Sequence, residues 1–242
     1  MEVPDLDRNH SYSQFGEDRE ILQWFGRGYA GFFVEVGANN GERDSNSLLL
    51  EQFGWRGILI EANPSLAAAA TKARPKALVL NIAACERDEE SVKFYRVSQG
   101  GNLDGLSSMY LDSDVRNRIV EAGGTIDLIE VPGKRLDGVL KDSLPVGQTV
   151  DFVSIDVEGA EWHVIRGFDF KCFKPRLLLI EDNTRGKERR IPRLLKENNY
   201  VRVHRTGWND WYVPLECASG FLFRRICLRL RLFKWAIQRL VG

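Results

Sequence analysis

Short apolar runs recur along most of the chain and are separated by stretches with helix signals. Five runs have the length and the branched or aromatic residues of buried strands, and they lie at 31–36, 58–61, 77–80, 150–155 and 175–180. Predicted helices occupy 17–25 and 45–53, and a further helix begins at Pro64, because proline is favoured in a first turn. This alternation predicts one α/β domain with a parallel sheet.

Two weaker strand patterns, at 91–97 and 126–131, interrupt this alternation. The segment 98–108 beside the first of them is rich in Gly, Ser and Asn. A loop of that length is either an active-site lid or an ordinary surface excursion. A loop and a final strand, both within 205–212, complete the predicted fold.

The first apolar run stops abruptly in a loop bounded by two glycines, Gly37 and Gly41. Such a strand-to-helix switch is where open α/β sheets bind ligands. The spacing is not that of dinucleotide-binding folds, and an acid, Glu35, lies two residues before Gly37. A carboxylate there suits a cationic or hydroxyl-bearing ligand, and S-adenosylmethionine, with its ammonium and sulfonium groups, is such a ligand.

A second acid, Glu61, ends the next strand about two dozen residues after Gly37. An acid in that place is positioned to accept hydrogen bonds from both hydroxyls of a ribose. A glycine-rich loop alone is more often only a tight turn. The loop together with acids at two strand ends predicts a nucleoside ligand.

Three more acids follow the fourth and fifth predicted core strands: Asp156, Glu181 and Asp182. They converge if these strands are neighbours, and three close carboxylates repel one another unless a cation or a proton is present. Oxygen ligands favour Mg²⁺ or Mn²⁺. The alternative is that these acids only position backbone amides and a turn. Without a metal a base must accept a proton, and Glu158, His204 and His163, the last among apolar helix residues, are the candidates.

Composition and charge are those of a water-soluble domain with an unusual last segment. The chain has 242 residues and a formal charge of zero. Six of the 34 Lys and Arg residues, and none of the 34 acids, lie in 221–242, so the rest is acidic, which argues against nucleic-acid binding. The four cysteines form no metal-binding or disulfide pattern. The first residues lack a signal-peptide core, and a cytoplasmic location is the expectation.

The segment 221–242 has the pattern of an amphipathic helix, with apolar residues on one face and arginines beside it. Helices of this kind lie at membrane surfaces, where their basic residues meet lipid phosphates. We expect peripheral attachment to the inner leaflet. The alternatives are packing against the chain's own domain or against a second copy in a homodimer.

Three segments resemble the FkbM family of S-adenosylmethionine-dependent methyltransferases: Val-Glu-Val-Gly-Ala-Asn-Asn-Gly at 34–41, Ile-Glu-Ala-Asn-Pro at 60–64 and Ser-Ile-Asp-Val-Glu-Gly-Ala-Glu at 154–161. The Ser-Gln-Phe-Gly-Glu-Asp segment at 13–18 resembles the start of one branch of that family, and the resemblance spans roughly 11–214.

The resemblance implies a Rossmann-like class I methyltransferase fold, with a mostly parallel seven-stranded sheet and helices on both faces. The expected domain is 1–220, with 1–30 as an N-terminal cap segment and 221–242 as a separate basic helix. The expected cofactor-binding residues are Gln14, Glu35, Gly37, Ala38, Asn39, Gly41, Glu61, Ala62, Ala83, Ser107 and Asp156. The acids of 156, 181 and 182 are similar to those that hold the metal in metal-dependent O-methyltransferases.

The expected reaction is methyl transfer from S-adenosylmethionine to a hydroxyl, with a sugar of a cell-surface polysaccharide or glycolipid as acceptor. A small-molecule natural product is the alternative acceptor. A non-catalytic, membrane-associated nucleoside-binding protein is the alternative from another class. Trp208 and Trp211 would either stack on a sugar ring or pack in the core.

Overall fold

Helices and strands alternate through most of the computed structural model, which describes residues 10–99 and 102–221. The strands are β1 (Phe32–Val36), β2 (Arg56–Ile60), β3 (Leu78–Leu80), β4 (Ala83–Cys85), β5 (Glu89–Gln99), β6 (Gly124–Arg135), β7 (Phe152–Ile155), β8 (Leu177–Glu181), β9 (Tyr200–Thr206) and β10 (Asn209–Pro214). The helices are α1 (Glu17–Phe25), α2 (Leu48–Gln52), α3 (Pro64–Ala73), α4 (Ser113–Glu121), α5 (Leu136–Ser143), α6 (Glu161–Arg166) and α7 (Arg190–Glu197).

Seven strands form the main sheet in the order β3-β2-β1-β7-β8-β10-β9. All neighbours are parallel except β10, which is antiparallel to both β8 and β9. Strand order reverses at β1, where Val36 pairs with Ile60 of β2 on one side and with Ile155 of β7 on the other. The carboxyl ends of these strands therefore meet at one edge, where α/β sheets bind ligands.

Apolar side chains on both faces of the main sheet form its core. All five residues of β1 are buried, as expected for a parallel strand covered on two sides. Val34 and Val36 pack with residues of α5, α6 and α7 on one face, whereas Phe33 packs with residues of α1, α2 and α3 on the other. This arrangement confirms the mostly parallel sheet with helices on both faces.

A second sheet, in the order β4-β6-β5, stands beside the main one. The sequence predicts strands at 91–97 and 126–131 but not their separate sheet. The long antiparallel pair of β5 and β6 buries Phe94, Val97 and Val131, and most of its other residues are partly or fully exposed. A 3₁₀ helix at Asn102–Leu106 returns along β5, where Tyr95 bridges to Ser108.

Two element boundaries differ from the sequence predictions. The helix predicted at 45–53 begins only at Leu48, because Ser45, Asn46 and Ser47 bind the side chain of Glu35. The loop and final strand predicted over 205–212 are both present, but the loop is only the turn at Gly207 and Trp208, because β9 extends to Thr206 and the final strand, β10, already begins at Asn209.

The basic segment 221–242 lies outside the described residues except for Phe221, which packs against Trp24 with ring centroids 4.8 Å apart. The amphipathic helix, the membrane contact and the homodimer contact expected of this segment remain predictions. Within the described part of the chain, no helix is long and apolar enough to span a membrane. The domain limits at 1–220 also remain a prediction.

Candidate active site

A cavity of about 830 Å³ opens at the carboxyl ends of β1, β2, β7 and β8. Most of the predicted site residues line it: Gln14, Glu35, Gly37, Ala38, Asn39, Glu61, Ala62, Ala83, Ser107, Asp156, Glu158 and Glu181. Gly41, Asp182 and His204 do not line it. The volume is ample for a nucleoside ligand together with part of a second molecule.

Gly37 allows the first loop to pass against the strand end that carries Asp156. Its φ of 82° lies in the left-handed region, and a Cβ built there would lie 1.6 Å from the carbonyl oxygen of Asp156. The backbone amides of Gly37 and Ala38 both donate to the carbonyl oxygen of Ile60, at 2.9 and 3.1 Å. Only glycine permits this crossing between β2 and β7.

Glu35 holds the segment after the loop instead of presenting a free carboxylate. Its oxygens accept hydrogen bonds from the Ser45 hydroxyl at 2.9 Å, the Asn46 amide at 2.7 Å and the Ser47 hydroxyl at 2.5 Å. Burial raises the pKa of Glu35, while Arg74 and these hydrogen bonds act to lower it. Both oxygens are thus occupied by the chain itself, and Glu35 shapes the wall of the cavity.

Arg74, for which the sequence pattern gives no functional signal, fixes the same loop through buried contacts. Its side chain is fully buried and pairs with Glu51 at 2.9 Å. It also donates to the Gly41 carbonyl oxygen at 2.8 Å and to the Ser47 hydroxyl at 3.1 Å. A Cβ on Gly41 would approach the Arg74 Cγ to 2.9 Å. Gly41 therefore makes room for Arg74 and does not touch the cavity.

Glu61 stands at the end of β2 with its carboxylate fixed by two backbone amides. Its Oε2 accepts from the Asn39 amide and its Oε1 from the Asn63 amide, both at 2.8 Å. Burial raises the pKa of Glu61 to about 7. Each oxygen retains a lone pair for a further donor, so the carboxylate can accept the two hydroxyls of a ribose.

Apolar side chains line the cavity next to Glu61. They are Ala62, Leu66, Ile82, Ala83 and Met109. Asn81 fixes this wall by donating to the carbonyl oxygens of Glu61 and Ala62, at 2.8 and 3.0 Å. A flat heterocycle attached to the ribose would fit against these side chains.

Asp156, Glu158 and Glu181 form a carboxylate triad at the other end of the cavity. One oxygen from each lies within 4.8 Å of the other two. Burial, followed by repulsion from Asp156, raises the pKa of Glu158 to about 8 and that of Glu181 to about 11. Burial also raises the pKa of Asp156 to about 6. The Oε2 atom of Glu181 is buried without a hydrogen-bond partner.

Asp182 is not part of this triad, contrary to the sequence prediction. Its carboxylate accepts from the Gly186 amide at 2.7 Å, from Thr184 and from Arg205 at 2.9 Å. Burial acts to raise the pKa of Asp182, but these hydrogen bonds together lower it. The side chain is committed to the turn after β8, and Glu158 takes the place predicted for it.

His204, the second candidate base, lies away from the cavity on β9. Its ring packs 5.6 Å from that of Trp211, and its Nε2 lies 3.7 Å from Glu20. Trp211 is fully buried and belongs to the core, whereas Trp208 is 36% exposed and lines the cavity. The structure thus separates the two tryptophans and leaves Glu158 as the candidate base at the cavity.

The segment that contains Ser107 spans the cavity and is fixed on both sides. Asp104 pairs with Arg43 at 2.6 Å, and Arg43 donates to the Asn39 side chain at 2.9 Å. On the other side, the Ser108 hydroxyl donates to the carbonyl oxygen of Glu158 at 2.8 Å. This segment therefore connects the loop that contains Asn39 with the turn that carries Glu158, as a lid would.

The segment before α1 holds Gln14 at the cavity. Asp18 accepts from the Ser11 hydroxyl at 2.6 Å and the Tyr12 amide at 2.7 Å. Glu17 accepts from the Phe15 amide at 2.9 Å and from the Asn209 side chain at 2.8 Å. The two acids of the Gln-Phe-Gly-Glu-Asp segment thus fold the chain over the sheet edge.

A sequence model of the methyltransferase FkbM domain matches residues 35–202. No curated protein matches the chain in sequence. Among solved structures, the METTL16 methyltransferase domain is 12% identical, with 80% of this chain and 62% of that chain covered and a TM-score of 0.43. The O-methyltransferase from Bacillus cereus in complex with SAH is 14% identical. The match covers 85% of this chain and 81% of that chain, with a TM-score of 0.40. The family match includes Glu61 and the triad but begins after Gln14.

Proposed function

The chain belongs to the FkbM family of S-adenosylmethionine-dependent methyltransferases, and we propose that it methylates a hydroxyl oxygen. The observation that carries this proposal is the triad of Asp156, Glu158 and Glu181 at the cavity. A hydroxyl must lose its proton as it is methylated, and carboxylates either accept that proton or hold a cation that acidifies the hydroxyl. Family membership favours the enzyme over a non-catalytic binding protein.

We propose that the cofactor lies along the sheet edge, with its ribose on Glu61 and its adenine against Ala62 and Ala83. The loop from Gly37 to Asn39 and the residues Gln14 and Ser107 then surround the methionine part. The sulfonium methyl points toward Asp156 and the triad. In the reaction the acceptor oxygen forms a bond to the methyl carbon, the carbon–sulfur bond breaks, S-adenosylhomocysteine leaves, and the hydroxyl proton is released at the triad.

The proposed acceptor is a sugar of a cell-surface polysaccharide or glycolipid. The exposed indole of Trp208 at the cavity supports this, because aromatic rings offer a flat apolar face to a sugar. The predicted helix at 221–242 would bring the enzyme to a lipid-linked glycan on the inner leaflet. A small-molecule natural product remains the alternative acceptor.

The affinity for S-adenosylmethionine is expected to rise as the pH increases through 7. Burial raises the pKa of Glu61 to about 7, and ribose hydroxyls bind the ionised carboxylate best, so binding releases a proton. Between pH 6 and pH 8 the gain is about tenfold. Calorimetry at several pH values measures it. Glu61→Gln is the control, and it should bind weakly with a smaller pH dependence. A flat profile in the unmodified protein would contradict the ribose role.

We also propose that the triad holds Mg²⁺ or Mn²⁺. Three carboxylates within 4.8 Å of one another are a hard-oxygen donor set, and the buried Glu181 Oε2 lacks a partner that a cation would provide. A bound cation would relieve the mutual repulsion that raises the pKa of Glu181. It would also lower the pKa of an acceptor hydroxyl and orient that hydroxyl toward the methyl group.

Removal of divalent metal with a chelator is expected to lower turnover about 100-fold or more, with S-adenosylmethionine affinity unchanged. Added Mg²⁺ or Mn²⁺ should restore turnover. Glu181→Gln should lose this response, and the matched variant Asp182→Asn should keep it, because Asp182 lies outside the triad. Full turnover in the presence of chelator would show that no metal is required. Glu158 would then be the group that accepts the proton of the acceptor hydroxyl.

A further inference from the structure

Two arginines, Arg118 and Arg185, line the cavity that contains the triad. Arg118 lies on α4, and Arg185 lies on the turn after β8. The guanidinium of Arg185 covers the ring of Trp208 at 5.8 Å. Arg118 is near enough to Glu158 to oppose the effects of burial and of neighbouring acids on its pKa. Both side chains are exposed, and both line the same cavity as the triad.

Neither arginine is held by a salt bridge to a described residue, although Arg118 is close enough to Glu158 to affect its pKa. Within the described residues, Arg118 and Arg185 form no ion pair and donate no side-chain hydrogen bond. By contrast, Arg43 lines the same cavity and pairs with Asp104 at 2.6 Å. The nearby Asp112 is occupied as the cap of α4, where it accepts from two backbone amides at 2.9 and 2.8 Å. The hydrogen-bond donors of both guanidiniums are therefore available to a ligand in the cavity.

The position of Arg185 is fixed by the turn that carries it. Asp182 binds the amides of Thr184 and Gly186 and pairs with Arg205, so the turn is tied on both sides of Arg185. The backbone of Arg185 has a φ of 58°, in the left-handed region. These contacts restrict the backbone at Arg185, and the side chain of Arg185 lines the cavity.

We propose that Arg118 and Arg185 bind an acidic group of the acceptor, a uronate carboxylate or a phosphate, while the hydroxyl to be methylated lies at the triad. This inference rests on the proposed O-methylation. The carboxylates of the triad would repel an anionic acceptor, and two guanidiniums in the lining of the same cavity would offset that repulsion. A neutral acceptor would offer neither guanidinium an anionic hydrogen-bond partner.

The test is the binding of matched sugars to the S-adenosylhomocysteine complex, measured by calorimetry. Glucose 1-phosphate is compared with glucose, and methyl glucuronide with methyl glucoside. We expect at least one acidic sugar to bind about tenfold more tightly than its neutral partner. The double variant Arg118→Gln, Arg185→Gln should lose that difference. Arg116→Gln should keep it, because Arg116 lies on the same helix, over Tyr95, and does not line the cavity.

The two acidic sugars distinguish a phosphate from a carboxylate as the bound group. Equal binding of acidic and neutral sugars, or an unchanged preference in the double variant, would overturn the anion subsite. Transfer of methyl to a neutral sugar would still support O-methylation in that case. A preference that depends on the two arginines, without transfer to any hydroxyl, would support the subsite and contradict the proposed reaction.

Discussion

Gly37→Ala is expected to abolish S-adenosylmethionine binding. The added Cβ would lie 1.6 Å from the Asp156 carbonyl oxygen, a distance at which the backbone must move, and the φ of 82° is unfavourable for alanine. The loop that begins at Gly37 would move away from the end of β7, so its position relative to the triad would no longer be fixed. The cost is about 3 kcal/mol or more, from overpacking and backbone strain together.

Calorimetry with S-adenosylmethionine and thermal unfolding measure this effect. Gly138→Ala is the matched control, because Gly138 has no neighbour within 4 Å of an added Cβ and no left-handed φ. The control should bind as the unmodified protein does. If Gly37→Ala bound S-adenosylmethionine with unchanged affinity, the close contact of Gly37 with the Asp156 backbone would not be needed for the cofactor site.

Glu158→Gln is expected to reduce turnover about 100-fold or more while the affinity for S-adenosylmethionine stays within about threefold. The amide has the same shape as the acid but accepts no proton and binds a cation poorly. The loss is therefore expected whether the triad acts through a metal or directly. Glu158 is also tied through its own carbonyl to Ser108, and this contact is kept in the variant.

Single-turnover measurements with saturating cofactor separate this loss from a loss of binding. Glu130→Gln is a suitable control, because Glu130 is an exposed residue of β6 outside the cavity. Unchanged turnover in Glu158→Gln would remove the triad from the chemistry. Equal losses of affinity and turnover would instead place Glu158 among the cofactor contacts.

The parts of the fold that the sequence predicts well are those in which a local pattern decides the structure. β1 is apolar at every position except Glu35 because both of its faces are buried, and Gly37 marks the point where the backbone must turn left-handed. Glu61 is predicted from a local pattern as well, because it is a carboxylate directly after a buried apolar strand.

Contacts between distant segments are not contained in such patterns. Arg74 closes the cofactor loop through Gly41 and Ser47, but as an arginine near a helix end it has no local signal. Asp182 follows Glu181 directly, so the sequence alone predicts that the two carboxylates lie together. A strand alternates the directions of its side chains, and the turn after β8 directs Asp182 to Arg205 instead. The signal that could have indicated Glu158 in the triad is its position two residues after Asp156, before a glycine.

The measurement that tests the central claim most directly is methyl transfer from carbon-13-labelled S-adenosylmethionine to a cell-surface glycan extract, followed by NMR of the product. The predicted result is label in a methyl ether on a sugar oxygen, with formation of S-adenosylhomocysteine, and no label when Glu158→Gln replaces the unmodified enzyme. Label on a nitrogen or carbon atom, or label on oxygen that does not depend on Glu158, would contradict it.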